Sequence, residues 1–79
     1  MMGYAEGNTQ GYTREDWAID MAEYTFRLHG NFDYVELRSH LLYNNYETVV
    51  VGNVLYVPKN EYYEIKTILD DRHIGYVIY

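Results

Sequence analysis

Residues 47–58 read E-T-V-V-V-G-N-V-L-Y-V-P, and no other stretch of the chain narrows the fold as much. Two runs of β-branched and aromatic residues flank Gly52-Asn53, and glycine at the first position of a two-residue loop suits a type II′ hairpin. Pairing Val51 with Val54 sends Val49, Val51, Val54 and Tyr56 to one face and Thr48, Val50, Leu55 and Val57 to the other, because side chains alternate along a strand. Both faces are apolar. Such a sheet is sandwiched between helices, or it uses one face or one open edge to meet another chain.

The rest of the chain must supply that cover within 79 residues, which is room for one domain and one core. Cysteine is absent, which removes disulfides, thiolate metal sites and thiol nucleophiles together and points to the cytosol. The opening M-M-G-Y-A-E-G-N-T-Q has neither a basic start nor an apolar run, and no stretch reaches the roughly 20 apolar residues of a membrane span. A cytoplasmic protein without a membrane segment is expected. Residues 1–12, with Gly3, Gly7 and Gly11 and no periodicity, read as a loose arm ahead of one α+β domain over residues 13–79.

Thr13 and Asp16 stand at capping-box spacing, which predicts a helix from Arg14 to His29, stopped by Gly30. On it Trp17, Met21, Tyr24 and Leu28 form one stripe, and Ile19, Ala22 and Phe26 fall nearly opposite. So wide an apolar arc predicts cover on two sides. Asp33 and Glu36 open a second helix over Tyr34–Tyr43, with Tyr34, Leu37 and Leu41 on its inner edge, joined by Val35 or Leu42, and Asn44-Asn45 at its end. After Pro58, Asn60 is placed to cap a third helix over Glu61–Asp71, with Ile65, Ile68 and Leu69 inward. Of the adjacent pair Tyr62 and Tyr63, neighbours about 100° apart on a helix, Tyr62 sits at the inner edge and Tyr63 faces outward. Ile74–Tyr79 forms a last strand, parallel to the second hairpin strand through a right-handed crossover. The expected order is α-α-β-β-α-β with a three-stranded sheet.

Groups that make and break bonds are scarce. Ser39 is the sole serine, and His40 beside it points elsewhere on a helix, so the two make no nucleophile and base. Glu36 and His40 share a helical face, with His29, Asp33 and His73 as conceivable additions, but two ligands at that spacing read as a solvated pair. Asp70-Asp71 reads as a hydrated helix end. The first two helices resemble a helix-turn-helix in spacing, yet Arg38 is the only arginine or lysine on the second, and twelve acids against six bases give a net charge of −6, which repels nucleic acid. No enzyme, metal, cofactor or direct nucleic-acid binding is expected.

Eleven tyrosines remain, more than a core of this size holds. A tyrosine carries a large ring, few rotors and a hydroxyl that tolerates water, which suits recognition surfaces. The sequence therefore points to a small acidic module that binds another protein through Asp16, Asp20, Glu23, Tyr43, Tyr46, Tyr63 and Asp70. In size, acidity and lack of catalytic groups it resembles phage-encoded inhibitors of host nucleic-acid machinery, anti-CRISPR proteins among them. That resemblance implies that Asp16, Asp20 and Glu23 occupy a host partner's cationic groove. The alternative is a homo-oligomeric structural or small-ligand-binding domain, such as a homodimer, that self-associates through its two-sided sheet or first helix.

Overall fold

A computed structural model describes residues 13–78, and the expected arm over residues 1–12 lies outside them. Helix α1 spans Arg14–Met21. The Asp16 amide donates to Thr13 Oγ1 (3.2 Å) and the Thr13 amide to Asp16 Oδ2 (3.1 Å), so both halves of the capping box close. The helix does not continue to His29. At Ala22 the backbone becomes extended (φ −68°, ψ 136°), and strand β1 takes Tyr24–His29. Tyr24, Phe26 and Leu28, which crowd two sides of a helix, all fall on one side of a strand, with Thr25, Arg27 and His29 on the other. Phe26 and Leu28 are buried. The broad apolar arc is thus period-two patterning over its second half, and one long two-sided helix does not exist.

Helix α2, Tyr34–Tyr43, has the predicted bounds, and Asp33 accepts from the Glu36 amide (3.0 Å). Strands β2 (Val49–Val51) and β3 (Val54–Val57) pair in the predicted register, Val51 with Val54, and Gly52 carries the turn's positive φ of 63°. Lys59–Glu61 forms a 3-10 turn closed by the Glu61 amide on the Pro58 carbonyl (3.0 Å), which takes Asn60 away from the expected cap. Helix α3 then spans Tyr62–Asp71 and strand β4 Gly75–Ile78.

The described order is therefore α-β-α-β-β-α-β, and the sheet has four antiparallel strands, β2-β3-β1-β4, instead of three. Strands β3 and β4 each oppose β1 and so run parallel to one another, as the crossover requires, but β1 lies between them. From β1 onward the connectivity is the split β-α-β arrangement of ferredoxin-like domains. Folds of that kind carry many unrelated functions, so the site has to be argued from side chains.

Phe26, Leu28, Val50, Leu55 and Val57 meet Leu37 and Leu41 of α2 and Ile65, Ile68 and Leu69 of α3 in one core. α1 packs against β2 and β3 and buries only Ala18 among its own residues. Two polar clamps join the elements. Glu61, 7% exposed, accepts from the Glu47 amide (2.8 Å), the Thr48 amide (2.9 Å) and the Thr48 hydroxyl (2.7 Å), which ties the lead into β2 to the start of α3. Glu36 at the start of α2 receives two bonds from Arg72 at the end of α3 (2.9 and 2.8 Å).

Glu61→Ala is expected to cost about 3 kcal/mol or more, because it strands three donors in a buried place; urea unfolding measures it, and a loss under about 1 kcal/mol would contradict the clamp. Hydrogen bonding to Arg72 draws the Glu36 carboxyl below its usual range, against an opposing effect of burial, with the charges of Arg72 and His40 adding to the depression. A depressed carboxyl contributes stability above its unfolded pKa, about 4.3, and loses it as pH falls through the lower folded value. The stability gap between parent and Glu36→Gln should therefore shrink as pH drops from about 5 to about 3, and a gap that stays constant over that range argues against the linkage.

Candidate interaction surface

The two clamps fix α2 and α3 antiparallel: the start of α2 meets the end of α3, and the residues after α2 meet the start of α3. Tyr43, Tyr46 and Tyr63 consequently gather at one end of the helical layer. Tyr43 is 86% exposed and Tyr63 78% exposed, while Tyr46 is half-buried and packs on the core. The Tyr46 phenol is pushed above its usual range, by burial first and then by the negative charges of Glu64 and Glu61. Those two acids belong to the start of α3, which agrees with the antiparallel arrangement.

Within the adjacent pair, Tyr62 turns inward and Tyr63 outward. Tyr62 lies against Tyr24 (ring centroids 4.4 Å apart) and edge-on to Phe26 (5.7 Å), with Lys66 Nζ 5.1 Å from its ring centre. Tyr63 touches it in a T-shaped contact at 5.1 Å and otherwise faces water. The outer ring thus touches the inner one and turns the rest of its surface outward from a helix.

The acidic residues do not assemble as the sequence suggests. Asp16 is committed to the capping box. Glu23 lies beyond the end of α1, and its Oε1 accepts from the Lys59 amide (2.8 Å). Only Asp20 of the three stays an exposed side chain on α1, so there is no row of three helical carboxylates for a cationic groove. Asp70 is exposed at the other end of α3, about 10 Å of helix from Tyr63. Glu47 and Glu64, which the sequence reading did not single out, are the exposed acids near the tyrosines. Glu64 had a signal in its place next to Tyr63; Glu47 had none, because its position depends on the bond from its amide to Glu61.

A second feature is the β4 edge. The Leu28 amide donates to the Asn53 carbonyl (2.7 Å), so Phe26 and Leu28 turn their backbone groups toward β3, and Arg27 and His29 turn theirs toward β4. Gly75 and Val77 therefore bond inward, and the N–H and C=O groups of Tyr76 and Ile78 point away from the sheet. Among the described residues no strand pairs beyond β4. The opposite edge, β2, is three residues long, and its Val50 carbonyl accepts from the Tyr34 hydroxyl (3.2 Å).

His40 Nδ1 lies 3.5 Å from the side-chain nitrogen Nδ2 of Asn44, and Glu36 is turned to Arg72. Among the described residues no three His, Asp or Glu side chains cluster as a metal site requires, and no helix is long and apolar enough to cross a membrane. A helix-turn-helix is ruled out, since β1 separates α1 from α2. Comparison with protein-family models, curated proteins and solved structures finds no match for this chain.

Asp16→Ala should cost about 0.5–1 kcal/mol by opening half of the capping box. Tyr63→Ala should cost less than about 1 kcal/mol, and a loss above about 2 kcal/mol in thermal or urea unfolding would show that the ring is part of the core.

Proposed function

We propose that this protein is a protein–protein interaction module whose recognition surface is the end of the helical layer carrying Tyr43, Tyr46 and Tyr63, rimmed by Glu47 and Glu64. The observation that carries the reading is the exposure of two tyrosines on rigid helices, 86% for Tyr43 and 78% for Tyr63, at the same end of the molecule. Aromatic anchors beside a polar rim are what protein interfaces use. The rim and the net charge of −6 favour a basic partner. An inhibitor of the phage type that sits in a nucleic-acid-binding groove is one form of this module. It now draws on overall charge and the acids beside the tyrosines, with no acidic helix stripe behind it.

The alternative, self-association, draws on a different observation. The β4 edge, which has no further strand among the described residues, bears no charged side chain over Gly75–Ile78, and Val51 and Val77 on the sheet face away from α2 and α3 are 40% and 46% exposed. A strand edge is self-complementary in antiparallel pairing about a two-fold axis.

The test compares parent with Tyr43→Ala/Tyr63→Ala in affinity capture from the native host, read by mass spectrometry, beside sedimentation at micromolar concentration. The double variant should keep the parent's melting temperature within a few degrees, lose the captured partner and remain a monomer like the parent. Unchanged capture sinks the tyrosine surface, and a parent that sediments as a dimer favours the β4 reading.

A further inference from the structure

The β2 side of the molecule carries a cavity of about 250 Å³. Arg14 and Glu15 at the start of α1, Arg38 and Leu42 on α2, and Val49 and Val50 on β2 are among the residues that line it. Leu41, Leu42, Val49 and Val50 give it an aliphatic wall, and Thr13, Arg14, Glu15, Arg38 and Thr48 supply the polar groups. Two of the chain's six cationic side chains stand here, on a protein with twice as many acids as bases. Arg14 donates through Nη2 to the Tyr46 carbonyl, which fixes its position, and its other N–H donors have no partner among the described residues. Arg38 is exposed and has no hydrogen-bond or ion-pair partner among the described residues.

Charge and shape together select a ligand class. A guanidinium with no partner among the described residues offers a planar pair of donors that matches a carboxylate, and the second guanidinium in the lining adds to the attraction. Glu15 on the same wall cancels one positive charge, which leaves the lining with a single net positive charge and disfavours a dianion. The aliphatic walls suit an apolar tail. The volume lies just under the usual range for drug-sized pockets, so the tail has to be small.

We propose that this cavity binds a small monoanionic carboxylate with an apolar tail, the carboxylate on Arg38 with Arg14 in support and the tail on Leu42 and Val49. Arg14 meets the partner surface at the Tyr46 backbone carbonyl, but none of the residues in that contact is Tyr43 or Tyr63, whose exchange tests that surface, so the two tests are read separately.

The test is an amide chemical-shift titration of the chain of residues 1–79 with sodium octanoate to about 10 mM, beside octanamide and inorganic phosphate as separate probes. Octanoate should give saturable shifts centred on residues 13–15, 38–42 and 48–50. Arg38→Gln, at an exposed and unpaired position, should melt with the parent and bind octanoate at least about tenfold more weakly. Octanamide and phosphate should give no saturable shift there. The proposal is overturned if octanoate does not saturate, if octanamide matches it, if phosphate saturates the same amides, or if Arg38→Gln binds as the parent does.

Discussion

Strand β1 is the element on which the other strands hang. It is one of the two central strands, paired to β3 through Tyr24–Arg27 and to β4 through Phe26–His29, and it joins the hairpin β2-β3 to β4. Without it β4 has no neighbour, and the hairpin β2-β3 is a two-stranded ribbon, which is marginal in water. The same strand places Phe26 and Leu28 under both core helices. A short isolated helix through these residues would gain about one hydrogen bond per residue and leave half its apolar side chains wet. Pairing on both sides satisfies the backbone as well and puts every apolar side chain of the strand on one face, so the strand wins.

Glu61 is the second constraint, and it is of another kind. A carboxylate that is 7% exposed must find donors inside the protein, and it finds three within two consecutive residues, Glu47 and Thr48. An apolar residue here would avoid the desolvation cost but would not fix where the loop after α2 sits against α3. That placement is what brings Tyr43 and Tyr46 to the same end as Tyr63. The helix ends reinforce it: α2 and α3 both stop in a left-handed residue, Asn45 (φ 58°) and His73 (φ 55°), with the next amide, of Tyr46 or Ile74, reaching back to Leu41 or Leu69.

Local signals were legible wherever a residue type has one conformational use. Gly52-Asn53 with β-branched flanks gave the hairpin and its register, Asp33 with Glu36 gave the start of α2, and the stripe Ile65, Ile68 and Leu69 gave the inner face of α3 and with it the outward turn of Tyr63. The segment Met21–His29 was not, because Trp17, Met21, Tyr24 and Leu28 satisfy the helical period while Tyr24, Phe26 and Leu28 satisfy the strand period, and neither Gly nor Pro separates Met21 from Tyr24. Only contacts distant in sequence, Phe26 with Leu55 and with Ile78, decide between the two. The acids of the candidate surface were illegible for the same reason. Whether Glu23 faces a partner or the Lys59 amide depends on where β1 ends up, and that is a tertiary fact.

Charge separates the ways this molecule can associate. Two copies each carrying −6 repel as they approach, but at physiological salt the field of exposed charges fades over about 8 Å, so what counts is the charge within the contact itself. The tyrosine end has Glu47, Glu61 and Glu64 within or beside it, and placing two such ends face to face would bring like charges together as the rings desolvate. That surface is thus poorly suited to its own copy and well suited to a basic one. The β4 edge has no charged side chain over Gly75–Ile78 and presents backbone groups in place of side-chain charge. Where identical chains meet, the electrostatic cost is least there.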